Sequence, residues 1–345
     1  MNKPLLVMAA LAGSCLLPAC ASNPGPGAVS GVDPEYRPGK YRVYTGTGTR
    51  ATLDDVARVM AASQVVFVGE THDDPTGHLM ELELLKRAQA AASAANRPTA
   101  LSLEFFERDV QPLLDDYLAG RVSEQVFLAG TRPWPRYQSD YRPLIEFSKQ
   151  AGVPVIAANA PRRFITMVTR TGRTSLDTLD QQARQYLAPL PYAKASPAYR
   201  DKWIATISEV MQQEGMKCGV PVEHADAPPG SHQNMTNQLD SQVLWDATMA
   251  HSIARFLENR PQALVLHMVG GFHVERGTGI PEQLQAYAPG TRMMIVSLRP
   301  VDDVDVFRPA PSGQWGDFVI QTESARTLEA IECRAFHAKR NATPR

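Results

Sequence analysis

The stretch Val65-Val66-Phe67-Val68-Gly69-Glu70-Thr71-His72-Asp73-Asp74-Pro75 leaves this chain few choices of fold. Four consecutive apolar residues rich in valine make a strand that suits a sheet covered on both faces. The run stops at a glycine, and a carboxylate, a hydroxyl, an imidazole and two more acids follow at once. Pro75 behind Asp74 fits an N1 proline behind an N-cap, opening a helix that carries His78, Leu82 and Leu85. Reactive side chains at the carboxyl end of a buried parallel strand stand where open α/β sheets hold their ligands. Far downstream, Ala263-Leu264-Val265-Leu266-His267-Met268-Val269-Gly270 runs into Gly271-Phe272-His273. Both strands therefore end in glycine, two residues, then histidine.

Further strands are expected at Thr99–Leu103, ending in Glu104, at Val153–Ala158, ending in Asn159-Ala160-Pro161-Arg162, and at Met293–Leu298. Tyr41–Tyr44 is a shorter candidate. A capping box at Thr52-Leu53-Asp54-Asp55 opens a helix to about residue 63, and helical segments follow between the strands. This alternation predicts an α/β fold, a mostly parallel sheet flanked by helices. A helical cap, about 163–240, is inserted between the third and fourth core strands. It includes a helix from Pro197 carrying Trp203, Ile207 and Met211, then a polar loop from Cys218 to Met235 with His224 and His232. The next helix, Gln238–Glu258, places Gln242, Asp246, Met249, Ile253 and Phe256 on one face. A carboxylate on the core side needs a partner, either a structural pair or the outer shell of a site containing His72 or His273.

With 345 residues, 43% hydrophobic and 21% charged, the chain has ample material for a sizeable core, and the expected α/β domain runs over 41–322. A formal charge of −1 gives no electrostatic case for nucleic acid or an anionic surface. The N-terminus has Lys3, an apolar run from Leu5 to Leu17 too short to span a membrane, and Leu17-Pro18-Ala19-Cys20, which resembles a bacterial lipobox. Residues 1–19 are expected to be a signal peptide, Cys20 a lipidated residue and 20–40 a flexible tether. Ala21 after the cysteine resembles lipoproteins sent to the outer membrane. Outside the cytoplasm Cys218 and Cys333 have the option of a disulfide. Residues 323–345 are expected to form a helical tail.

The strand-end residues Glu70, His72, Glu104, Asn159, Arg162 and His273 converge if their strands are neighbours. Two imidazoles with carboxylates suit a divalent transition metal with an open position, or a ligand held without turnover. His78 has the option of facing the same cleft, and His267 is expected to be a satisfied core histidine. No dinucleotide fingerprint, phosphate loop or Gly-x-Ser-x-Gly elbow is present.

Val68-Gly69-Glu70-Thr71-His72, Leu103-Glu104-Phe105-Phe106-Glu107-Arg108, Ala158-Asn159-Ala160-Pro161-Arg162, Gln242 with Asp246, and Gly270-Gly271-Phe272-His273 before Gly279-Ile280-Pro281 together resemble the ChaN family. That resemblance implies an outer-membrane-anchored, periplasm-facing lipoprotein that binds haem for iron acquisition, with haem held between two protomers and a tyrosine on the iron. Tyr141 and Tyr137 are the candidate ligands, with His72, His78 and His273 as further haem-site residues. Phe105, Phe106 and Trp134 offer an apolar slot, and Arg162 or Arg163 a cation for the propionates. A haem-transport receptor is an implied partner. ChaN-like proteins are also similar to the Tiki metalloprotease and erythromycin esterase groups. This keeps open a metal-dependent hydrolase with His72, His273 and Glu70 on the metal and Glu70 or Glu104 as base, Asn159, Gln242 and Asp246 standing behind them.

Overall fold

The computed structural model describes residues 39–217 and 231–324. Cys20, Cys218, His224, Cys333 and the expected helical tail lie outside them. The strands are β1 (Tyr41–Thr45), β2 (Arg50–Ala51), β3 (Val65–Glu70), β4 (Thr99–Glu107), β5 (Val155–Asn159), β6 (Leu264–Gly270), β7 (Met293–Val301) and β8 (Phe318–Glu323). They form one eight-stranded sheet in the order β2-β1-β8-β7-β3-β6-β4-β5. Every pairing from β8 through to β5 is parallel, and only β1 runs antiparallel, against β8 and β2.

The helices follow as α1 (Leu53–Ala62), α2 (Pro75–Ala94), α3 (Gln111–Leu118), α4 (Glu124–Thr131) and α5 (Arg142–Ala151). After β5 come α6 (Arg162–Thr171), α7 (Gln181–Arg184), α8 (Pro197–Lys217), α9 (Ser231–Asn259) and, after β6, α10 (Ile280–Tyr287). The capping box at Thr52 and Asp55 forms as expected, each side chain accepting from the other residue's amide.

The pleat divides β3 between two cores. Val66 and Val68 pack with Leu84, Leu85, Leu114 and Leu144 on one face, whereas Val65 and Phe67 pack with Met249, Ile253 and Leu257 of α9 on the other. Val65, Val66, Phe67 and Val68 are all buried, because helices cover both faces. A third cluster, with Phe164, Val168, Tyr199, Trp203 and Leu244, fastens the inserted helices α6, α8 and α9 to one another.

Three expectations need correction. β4 continues to Glu107, so Glu104 lies within the strand and not at its end. The loop expected up to Met235 is already helical from Ser231, because α9 is longer than its apolar stripe. β8 was not foreseen. Its apolar run is only Phe318-Val319-Ile320, and its buried Gln321 and Thr322 read as polar. Gln321 bonds the carbonyls of Val304 and Val306, and Thr322 donates to Asp74. Among the described residues no helix is long and apolar enough to cross a membrane.

Candidate functional site

The two motif strands are neighbours. β3 and β6 pair in parallel with Glu70 opposite Gly270. His72 and His273 therefore leave adjacent strand ends, with β4 and its Glu104 on the far side of β6. The glycines permit this closeness. A Cβ on Gly69 would stand 3.0 Å from the Gly271 Cα, and one on Gly270 would stand 2.9 Å from the His72 ring.

Each imidazole is gripped at Nδ1 by a carboxylate. His72 Nδ1 lies 2.5 Å from Glu70 Oε1, and His273 Nδ1 is bonded to Asp246 Oδ1 of α9. This leaves Nε2 as each ring's remaining polar atom. His273 Nε2 lies 3.7 Å from Glu104 Oε1, while Glu104 Oε2 accepts from the Gly270 amide at 2.8 Å. Asn159 donates to the Glu104 carbonyl and accepts from Ala160, fixing the end of β5 beside β4.

Burial disfavours charge on both rings, but the adjoining carboxylates prevail. Hydrogen bonding to Glu70, aided by the charge of Glu104, raises the pKa of His72, and Asp246 and Glu104 raise that of His273. Burial likewise opposes the charge of Glu70, yet hydrogen bonds from His72 and His78 bring its carboxyl down to about 2. His267 is the contrary case. Burial and the charge of His273 push its pKa down to about 3, and Nδ1 meets Ser102 at 2.9 Å. It sits in the core as expected, although its Nε2 has no hydrogen-bond partner.

A cavity of about 230 Å³ opens over these groups, lined by His72, Glu104, Asn159, Arg162, Gln242 and His273 with Glu107, Trp134, Ala160 and Trp245. A larger depression of about 670 Å³, lined by Arg132, Arg162, Arg163, Pro133, Pro135 and Thr166, shares Glu107, Trp134 and Arg162 with it. The two adjoin at these residues, and the Trp134 ring stands edge-on to His72 at 5.1 Å. Arg162 is exposed at the first position of α6, on the rim.

Some expected site residues stand elsewhere. His78 does not face the cleft. It is buried behind it, with Nδ1 near Glu81 and Glu70 and Nε2 3.1 Å from the His72 carbonyl. Glu70 is buried on the Nδ1 side of His72, so it cannot share a metal with the cleft-facing Nε2 atoms. Among the described residues His72, His273 and Glu70 do not gather as a metal-binding trio. Tyr137 and Tyr141 lie on a turn of π-helix, Tyr137–Tyr141, that turns both rings inward. Tyr141 stacks on Phe105 at 4.0 Å with its hydroxyl 3.4 Å from Glu70, and burial pushes its pKa far up. Tyr137 is packed against Phe106 and Phe127. Neither phenol is presented to the cleft in this conformation. Phe105 and Phe106 are core residues too, so Trp134 is the aromatic residue that lines the cleft from that set.

Other residues had no sequence signal. Lys202 of α8 is buried and donates to the carbonyls of Phe272 and Glu275, holding the loop that carries His273. Burial lowers its pKa to about 8. Arg136, at φ 62°, donates to the His72 carbonyl. Trp245, one position off the inward face of α9, also lines the cavity, with its ring edge-on to His273 at 6.4 Å.

The family model described as "Haem-binding uptake, Tiki superfamily, ChaN" matches residues 56–284. The chain belongs to this family. A solved structure titled "Cofacial heme binding to ChaN of Campylobacter jejuni" is similar with a TM-score of 0.59, covering 82% of this chain and 97% of that one at 15% identity. At that identity the likeness shows the fold. A mutant of the erythromycin esterase EreC in its open conformation covers 87% of each chain at 10% identity, with a TM-score of 0.38. A curated relative, "Protein RETICULATA-RELATED 5, chloroplastic" of Arabidopsis thaliana, is 23% identical over 246 residues. The match takes in 69% of this chain but only 31% of that protein's length.

Proposed function

We propose that this protein binds haem in the slot formed by the two contiguous cavities, as a carrier in haem or iron uptake. The observation that carries the reading is the slot itself, with an aromatic wall at Trp134, a cation at Arg162 and an imidazole nitrogen at His72 on one continuous surface. A flat apolar macrocycle with two carboxylates asks for these three features. The membership of a family described by haem binding supports it independently. His72 is the better placed iron ligand: its side chain is 52% exposed, against the buried hydroxyl of Tyr141. Arg162 would pair with a propionate, and Glu70 would hold the His72 ring in place. Haem supplies the ligand-field and redox chemistry of its iron; this chain supplies orientation, charge and apolar cover.

The leader supports an outer-membrane lipoprotein anchored at Cys20; in the same reading a second copy of the chain completes the haem site and a receptor takes the cargo onward. A soluble form lacking residues 1–20 tests binding and assembly together, by haem titration in the Soret region with mass from light scattering. Saturation accompanied by dimer formation is expected. Saturation in a monomer would remove the second copy, and failure to saturate would remove the haem reading.

The hydrolase alternative rests on a different observation, two carboxylate-held imidazoles beside Glu104 in one cavity, an arrangement suited to general acid–base work. Glu70 would not be the base, since both its oxygens lie behind His72; Glu104 would. Ester or peptide turnover abolished by Glu104→Gln, with haem affinity unchanged, would favour it.

A further inference from the structure

Behind the cleft wall, Glu70, His78 and Glu81 bring three donor atoms within 4.8 Å of one another. Their side chains are all buried, with 1%, 3% and 0% of their surface exposed. The local fold explains the meeting. Glu70 ends β3, His78 stands in the first turn of α2, and Glu81 follows at i+3 on the same helix face. None of the cleft's function requires Glu81, and His78 and Glu81 do not line the cavity.

The histidine is the informative member. Its Nε2 faces the His72 carbonyl at 3.1 Å and Asp140 Oδ2 at 3.5 Å. A carbonyl only accepts, so Nε2 carries the proton. Nδ1 then faces two carboxyl groups, Glu81 Oε2 at 3.0 Å and Glu70 Oε2 at 3.2 Å. A lone pair aimed at two acceptor oxygens needs a positive charge between them, either a second proton on the ring or a bound cation. The separations match one. Ligands bound at about 2.0–2.1 Å in a tetrahedron lie about 3.3 Å apart. A ring nitrogen on the metal, with the opposite N–H held by a carbonyl or carboxylate, is the usual outer-shell pattern of a metal-bound imidazole. In addition, Glu81 Oε1 is buried without a hydrogen-bond partner.

We propose that Glu70, His78 and Glu81 bind a first-row divalent cation such as Zn²⁺ or Mn²⁺, through His78 Nδ1 and one oxygen of each carboxylate. Nitrogen and oxygen donors without sulfur suit that class. Asp140 and the His72 carbonyl orient the imidazole from outside. The cation takes the place of the second proton that the two carboxylates would otherwise draw onto the ring. It also fixes Glu70, whose other oxygen orients His72, so the buried site becomes a strut for the cleft. The cation site itself needs no haem, since none of its three ligands lines the cleft.

The test uses the full-length chain in detergent, stripped with a chelator and titrated with Zn²⁺ by calorimetry and with Co²⁺ by visible absorption. One cation per chain is expected. Glu81→Gln, which keeps the shape and removes the charge, should weaken binding about 100-fold or more, beyond the range typical of an outer-shell partner. His273→Ala, on the cleft side, should leave affinity within about threefold, outside even that outer-shell range. Absence of saturable binding would overturn the site in favour of a doubly protonated His78. Loss of binding in His273→Ala with retention in Glu81→Gln would move the cation to the cleft. If Glu81→Gln does not fold, the Co²⁺ bands of His273→Ala decide: their presence supports the buried site and their absence overturns it.

Discussion

The two Gly-x-x-His corners are built from the same sequence pattern, on neighbouring strands, and end in different environments. His72 draws its carboxylate from two residues before it, stays half-exposed and lines the slot beside Trp134. His273 draws its carboxylate from Asp246, 27 residues away on α9, and keeps only 9% of its side chain exposed. One corner is a local device presented to the cleft, and the other is a long-range clasp between helix, loop and sheet. A repeated motif thus fixes where a side chain leaves the sheet, while the partner it finds decides whether it serves binding or architecture.

This contrast is broken most forcefully at the clasp. Asp246→Ala strips a buried imidazole of its buried partner and should cost about 3–5 kcal/mol, read as a fall in the urea midpoint. A cost below about 1 kcal/mol, the scale of an exposed pair, would make the two corners equivalent. Next in size is Gly69→Ala. Its methyl would stand 3.0 Å from the Gly271 backbone and 3.1 Å from Val274, so the two corners must separate. Overpacking of this kind costs about 1–3 kcal/mol in the same denaturation experiment.

These two positions also show how far the sequence could be read. The β3 run and its echo in β6 announced both strands and their shared chemistry, because burial on both faces leaves an unbroken apolar signature. The inward face of α9 pointed Asp246 toward the core, since Ile253 and Phe256 lie on the same stripe. What a one-dimensional pattern could not show was which strand lies beside which. β6 enters between β3 and β4 although β4 follows β3 in the chain. Nor did it show that the turn at 137–141 faces inward, so Tyr141 looked available to iron when it is packed on Phe105. His78 looked equally free, and only the neighbouring Glu81 and the His72 carbonyl reveal why it turns away.

A smaller effect, at the exposed corner, depends on pH. The pKa of His72 is raised on folding, chiefly because its bond to Glu70 overcomes burial. Its contribution to stability is therefore fully present below the unfolded value of about 6.5 and lost as pH rises through the folded value. Thermal melts of wild type and His72→Ala should differ most in acid and converge in base; a gap that widens with pH would reverse the assignment. Least of all is expected from Tyr141→Phe. Removing a hydroxyl with one long hydrogen bond to Glu70 should change stability by about 1 kcal/mol or less and leave haem affinity unaltered. A large loss of haem affinity would show that the phenol swings out to the iron.

The central claim is that haem lies in the slot against His72 and Trp134. Its most direct test is a side-by-side haem titration of wild type, His72→Ala and Trp134→Ala, followed by the position and amplitude of the Soret band. The expected result is saturable binding by wild type, a shifted band with at least tenfold weaker binding in His72→Ala (about 1.4 kcal/mol), and a comparable loss in Trp134→Ala. The same band and affinity in all three proteins would place haem elsewhere and contradict the claim.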